Sequence, residues 1–280
     1  MRLVKQLRDD PVLRQSFFDL ARRTFGIAFE GWYEEGWWGG RYIPYALAEG
    51  DEVLANASVN RMDFQLDGQP FSCIQIGTVM TGEAHRNRGL ARRLMEAVLE
   101  DYGHLPIYLF ASDMAKGFYP KFGFRPAKEG RVRLAWSGEG TKGTKRVRRL
   151  DWRLAGDREL FLSRCRGGNP FARLTQVNGE SLAAFYCRSE LADCLYFDEA
   201  AGRAAAAEFA EGRMILRDIF GEGGGLAEAI AAFARPDTTE VVLDFLPKEP
   251  LGELSFLDGD LFLRGDWPDM PLLFPLLSRA

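Results

Sequence analysis

Hydrophobic and polar positions recur with two periods along the chain. From Asp10 to Arg23 the apolar residues Val12, Leu13, Phe17, Phe18, Leu20 and Ala21 fall at close to helical spacing. Asp10 before Pro11 marks the start of that helix: the carboxylate can cap free N–H groups, and proline at the first helical position loses no bond. From Tyr45 to Thr81 the pattern shortens to strand-length runs, YALAEGDEVLANASVNRMDFQLDGQPFSCIQIGTVMT. The turn signals EGDE and LDGQ divide it into hairpins. Helical spacing returns from Gly89 to Tyr102 through Leu90, Leu94, Ala97 and Val98. LPIYLFAS then reads as a short buried strand, and MAKGFYPKFGF as a short helix and turn before another strand.

Between residues 136 and 150 the composition changes to WSGEGTKGTKRVRRL, glycine-rich and then basic. This predicts a linker or boundary loop, and a division into a domain at 1–135, a linker at 136–150 and a second, smaller αβ domain at 151–280. In the second half DRELFLSRC, ESLAAFYCRS and GLAEAIAAFA read as helices. CLYFDEA, AAAAEFAEG and RMILRDIF read as strands of a meander, although the alanine-rich piece also suits a helix. EVVLDFLP is a buried strand, and LFLRGDWPDMPLLFPLLSRA offers one more strand before a proline-punctuated end. No repeat of 20–50 residues stands out. At a coarser scale the second half echoes the end of the first: strands, helix, strand. The predicted fold class is α/β, with a mixed sheet.

Bulk chemistry narrows the functions. With 280 residues, 46% hydrophobic and 27% charged, the chain has the make-up of a globular protein. A net charge of −4 provides no general attraction to nucleic acid or an anionic membrane. KRVRR is short and lacks interleaved aromatics, so no nucleic-acid partner is expected. Four cysteines and two histidines show no metal-ligand spacing, so no metal is expected. Sparse cysteines, a polar N-terminus and the lack of an apolar run near ~18 residues together predict a cytoplasmic protein with no membrane contact. GEGTKGTK resembles a phosphate loop, but its Thr-Lys order is reversed from what that loop needs.

The chemistry concentrates in IGTVMTGEAHRNRGLARRL, residues 76–94. A strand exit leading straight into a helix leaves unpaired N–H groups at the positive end of the helix dipole. Gly89 permits close backbone approach, and Asn87 tolerates unusual dihedrals. Arg86, Arg88, Arg92 and Arg93 oppose the dipole unless an anion sits among them. A pyrophosphate site and a solvated basic turn are both compatible with these residues alone.

Two motifs in order carry a resemblance. Arg86-Asn87-Arg88-Gly89-Leu90-Ala91 resembles the Q/R-x-x-G-x-G/A motif of the GNAT family of acetyl-CoA-dependent N-acetyltransferases. GFYPKFGF, about thirty residues on, resembles that family's FYxKxGF signature. TVMTGEAH departs from the family's strand exit, with Gly82 and Glu83 where a proline is usual. The resemblance covers residues 1–135. The whole chain is similar to bacterial two-domain members whose second half is a degenerate GNAT-like unit, with a related FP-L-S-A ending at Phe274 to Ala280.

The resemblance implies a sheet whose central strands part around the pantetheine arm of acetyl-CoA. Val79 and Thr81 would pair with that arm by backbone, with a Val79 or Met80 N–H stabilising the oxyanion. The N–H groups from Arg86, Asn87, Arg88, Gly89, Leu90 and Ala91 would hold the pyrophosphate, and Arg92 or Arg93 a further phosphate. Tyr119 would be the general acid for the departing thiolate. The implied activity is acetyl transfer to a primary amine; a non-catalytic acyl-CoA-binding module is the alternative. No motif marks the base, for which Glu30, Glu34, Glu35, Asp63 and Asp113 are candidates. The aromatic, acidic segment from Phe25 to Tyr45 favours a small cationic acceptor. Most of its rings are expected in the core, with Trp37 and Trp38 as lid residues. The Ala280 carboxylate is a further candidate to reach the cleft.

Overall fold

The computed structural model describes residues 1–137, 147–221 and 223–279. The first half runs β1 (Arg2–Val4), α1 (Pro11–Phe25), the short α2 (Glu30–Glu34), β2 (Tyr42–Glu49), β3 (Glu52–Leu66), β4 (Gln69–Thr81), α3 (Leu90–Tyr102), β5 (Ile107–Phe110) and β6 (Arg125–Ala135). The second runs β7 (Val147–Arg149), α4 (Ala155–Cys165), β8 (Leu174–Gln176), α5 (Glu180–Cys187), β9 (Leu195–Asp198), β10 (Arg203–Ala210), β11 (Arg213–Phe220), α6 (Leu226–Phe233), β12 (Glu240–Leu243) and β13 (Glu253–Arg264).

Local chemistry sets many of these boundaries. The Asp10 carboxylate accepts from the N–H groups of Val12 and Leu13, both at 3.0 Å, and Gly26 ends α1 in the left-handed region at φ +73°. Asp67 and Gly68, at φ +48° and +84°, make the two-residue turn between β3 and β4. The alanine-rich segment is strand β10, not a helix. Ala205 and Ala207 pack into the core under α6, while Ala204 and Ala206 pack beside α4 and α5. Burial of both faces between β9 and β11 overrides alanine's helical preference.

All the described strands join one mixed sheet, in the order β1-β2-β3-β4-β5-β13-β6-β12-β11-β10-β9-β7, with β8 beside β3. This is the mixed α/β architecture predicted. Parallel pairs occur at β4–β5 and β11–β12, each with a helix crossing between them, so the strand–helix–strand unit appears once in each half. Strand β13 lies between β5 and β6, antiparallel to both. The first half thus takes a sheet strand from near the other end of the chain. Further contacts tie the halves: Trp32 Nε1 donates to the Ser181 carbonyl at 2.7 Å, and Ser181 Oγ to that of Trp37 at 2.7 Å.

One buried carboxylate in the second half yields a stability prediction. Asp218 on β11 is buried, accepts from Asn169 Nδ2 at 2.7 Å, and has its carboxyl pushed up by burial to about 7. The unfolded group titrates near ~3.9, so the native state binds the extra proton between these values and stability falls as pH rises through that window. Asp218→Asn keeps the acceptor and removes the charge. It is expected to stabilise the fold at pH 8 by up to ~4 kcal/mol and to be near neutral at pH 4, measured by thermal melts at both pH values.

Candidate active site

The site is built where β4 and β5 part. They pair only from Ile74–Ile107 to Ile76–Leu109. Beyond that point β5 leans toward β13, and the Ala111 N–H donates to the Asp260 carbonyl at 2.8 Å. β4 continues to Thr81 bonded to β3 on its other side. Among the described strands none pairs the β5-facing edge of Gly77–Thr81, which leaves backbone groups for an extended ligand. The β4 backbone is irregular at the same point. Gly77 faces Ser58 and Met80 faces Asn56, so Thr78 and Val79 together oppose Ala57 in a bulge. Thr78 has φ +44°, a costly conformation for a β-branched residue. A buried ring of hydrogen bonds surrounds it, through Tyr42, Asn56 and Ser58.

The basic turn follows directly. Asn87 and Gly89 both take left-handed backbone, at φ +60° and +74°, on either side of Arg88. Nothing crowds a side chain at position 89, so the dihedral is what selects glycine there. Gly89 is the N-cap of α3, without a side-chain cap. The first N–H groups of the helix are therefore open to an external acceptor. Arg86, Asn87, Arg88 and Gly89 are exposed, Ala91 is half-buried, and Leu90 anchors the helix in the core. Arg88 Nη1 lies 3.0 Å from His85 Nδ1, and Arg86 Nε 3.5 Å from the Thr81 carbonyl. Arg92 sits over the Phe122 ring at 5.6 Å, which brings the basic turn against the aromatic motif. Val79 and Thr81 are half-buried, and Met80 sends its side chain into the core beneath α1. Backbone is thus what Met80 offers the cleft. Gly82 adopts φ −52° and ψ 139°, which proline also favours, but its N–H donates to the Leu54 carbonyl at 2.8 Å, a bond proline would forfeit.

Tyr119 opens a short 3-10 turn, Tyr119–Phe122, closed by Gly123 at φ +81°. It is buried against Phe118, Phe124 and Phe262, the last from β13. No described residue hydrogen-bonds its hydroxyl. Burial pushes the phenol up to about 12.

The candidate carboxylates are mostly engaged elsewhere. Glu30 pairs with Arg22, Asp63 with Arg41, and Glu35 with Arg188 at 3.1 Å. Asp113 is exposed and held below the usual carboxylate range by Lys116, 2.8 Å away. Glu34 is exposed. Trp38 is not a lid: it is buried among Phe17, Phe18, Trp32, Tyr33 and Tyr42, with Nε1 donating to the Tyr42 carbonyl at 3.0 Å. The aromatic segment packs on α5 through Phe29 and Phe185, ring centroids 5.6 Å apart. Core packing accounts for its composition.

The tail is clamped beside β5. Tyr108 donates to the Ser278 carbonyl and Tyr186 to that of Arg279, each at 2.8 Å. Arg279 pairs with Glu129 at 2.9 Å and lies 4.3 Å from the Phe110 ring centre. Ala280 lies outside the described residues, so its carboxylate is not located. Among the described residues no helix is long and apolar enough to cross a membrane.

The opened parallel pair, the uncapped basic helix start and the buried tyrosine thus lie at the same end of the sheet. Residues 13–127 match the family model of the acetyltransferase (GNAT) domain. No curated protein matches the chain. Solved structures share the fold across both halves. A probable N-acyltransferase from Enterococcus faecalis V583 superposes with TM-score 0.59 at 14% identity, over 94% of this chain and 72% of that one. A GCN5-related N-acetyltransferase from Kribbella flavida gives 0.55 at 20% identity, over 94% and 71%. Eis1 from Mycobacterium abscessus gives 0.55 at 14% identity, over 94% and 73%.

Proposed function

We propose that this chain is an acetyltransferase that takes the acetyl group from acetyl-CoA and passes it to a small primary amine by direct attack, with Tyr119 as general acid. The observation that carries the proposal is the conjunction at one end of the sheet: the open β4 edge, the uncapped start of α3 and Tyr119. The residues fit acetyl-CoA. The edge at Val79–Thr81 offers strand-like backbone groups to a pantetheine amide, and the N–H groups from Arg86 to Ala91, with Arg88 and Arg92, suit a pyrophosphate. In this reading residues 1–135 form the catalytic unit, 136–150 a connection, and 151–280 a GNAT-like unit that walls the acceptor cleft.

Transfer forms a C–N bond and breaks a C–S bond. The amine loses a proton and the sulfur gains one. A Val79 or Met80 N–H stabilises the oxyanion that builds on the carbonyl oxygen. Tyr119 faces a thiolate whose conjugate acid has a reference pKa of ~8.5, while its own phenol stands near 12. Outright proton loss to a free thiolate is uphill. The phenol therefore acts as a hydrogen-bond donor while charge builds on sulfur, and its proton moves as the nitrogen releases its own. With Glu30 and Glu35 paired to arginines, acceptor deprotonation is assigned to water in the cleft, not to a dedicated carboxylate.

Reversing the charge of the anion turn tests the cofactor assignment. Arg88→Glu is expected to raise the Kd for coenzyme A by at least ~10-fold, about 1.4 kcal/mol, with little change in melting temperature. Titration calorimetry measures both Kd values, and an unchanged affinity would remove the turn from the site. A second reading, a non-catalytic acyl-CoA-binding module, draws on the burial of Tyr119 in an apolar cluster with its ring against Phe118. Thiol release from acetyl-CoA upon adding a panel of amines separates the two.

A further inference from the structure

We infer that Tyr42, Asn56 and Ser58 are positioning residues for acetyl transfer: their buried hydrogen bonds hold the Thr78 backbone in the bulge that aims the next N–H groups of β4 into the cleft. This rests on the proposed acetyl transfer at the β4–β5 opening.

The sequence places polar residues where apolar ones would pack better. In LANASVN, Asn56, Ser58 and Asn60 occupy alternate positions and so share one face of β3. That face lies under α1 and the aromatic segment, and Asn56 and Ser58 are both 0% exposed. Burying such groups is unfavourable unless they are bonded; Asn56 reaches Thr78 directly through Nδ2 and Ser58 reaches it through Tyr42, while Asn56 Oδ1 has no partner among the described residues. Asn56 Nδ2 donates to the Thr78 carbonyl at 3.0 Å and to Ser58 Oγ at 2.9 Å. Ser58 Oγ donates to the Tyr42 hydroxyl at 2.8 Å, which lies 2.8 Å from Thr78 Oγ1. The ring thus grips Thr78 by backbone and by side chain. Trp38 Nε1, on the Tyr42 carbonyl, fixes the third member from behind.

The gripped residue is the strained one. A threonine at φ +44° reverts to extended backbone unless its surroundings forbid it. Reversion would return Thr78 and Val79 to a regular ladder against β3. A slip of one residue would turn the following N–H groups to the opposite edge of β4 and the side chains to the opposite face. The ring therefore sets which N–H of β4 faces the thioester, without any of its side chains touching the reacting atoms. Burial holds the Tyr42 phenol well above its ordinary range, so the ring keeps its protons throughout the working pH range.

The test separates holding the bulge from merely filling the core. Asn56→Ala is expected to lower kcat by about 10²-fold, as for a lost or misplaced oxyanion donor, and to raise the KM for acetyl-CoA as the Val79–Thr81 backbone loses its alignment with pantetheine. Glycine accepts positive φ without strain, so adding Thr78→Gly to Asn56→Ala should recover at least about 10-fold of the lost kcat. A crystal structure of Asn56→Ala should show residue 78 at negative φ in a regular ladder. Unchanged kcat in the folded variant, or residue 78 still at positive φ without the amide donor, would overturn the proposal. If Asn56→Ala does not fold, Tyr42→Phe and Ser58→Ala take its place with the same readouts. Should wild type transfer no acetyl group, the functional proposal falls, and the backbone at residue 78 still decides whether the ring holds the bulge.

Discussion

Tyr119→Phe is expected to lower kcat for acetyl transfer by ~10²- to 10³-fold while leaving the Kd for coenzyme A within ~3-fold. Only the hydroxyl is lost, and the ring contacts with Phe118, Phe124 and Phe262 survive. A packing role alone would therefore leave turnover intact. Because the phenol is pushed up to about 12, Tyr119 stays protonated at all working pH values. Activity in wild type should then rise with pH as more of the acceptor amine becomes neutral, with no falling limb from Tyr119 up to pH ~10. Full turnover in Tyr119→Phe with a good acceptor would remove the general acid from the mechanism.

Deleting β13 is expected to unfold both halves, not only the second. Leu261, Phe262 and Leu263 are buried where the strand fills the space between β5 and β6, and each is worth about 2 kcal/mol in burial alone. The ladder bonds to both neighbours are lost as well. A domain has only ~5–15 kcal/mol to lose. A chain ending at residue 252 should give no cooperative thermal transition and should fail to bind coenzyme A. Restoration by a peptide of residues 253–280 would confirm that the strand is what is missing. A cooperative melt and intact cofactor binding in the shortened chain would sink the prediction.

The backbone turns around the candidate site were legible in the sequence because they are local. Asp10-Pro11, Asp67-Gly68 and the turn Arg86 to Gly89 each fix backbone through their own residues, and they appear in the structure as read. The alanine strand β10 could not be settled locally, since its conformation depends on neighbours burying both faces. The first residues of β13 were hidden for another reason: Asp258-Gly259-Asp260 looks like a turn, and the ladder does shift register between Asp258 and Phe262. Trp38 was misplaced because aromatics beside glycines look alike whether they line a cleft or fill a core. The ring around Thr78 had a visible signal, polar residues at every second position of a buried strand. Its target was not visible, because a bulge depends on the pairing of two strands.

The position of β13 also has a consequence for the timing of synthesis. When β6 has been made, more than a hundred residues must still be polymerised before its neighbour exists, an interval on the order of ten seconds at ordinary translation rates. Until then the edges of β5 and β6 that β13 will cover stay unpaired, the condition that invites aggregation or capture by a chaperone. The first half cannot complete its sheet on the nascent chain before β13 has been made. A prematurely stopped product, however faithful its first half, should carry no acetyltransferase activity into the cell.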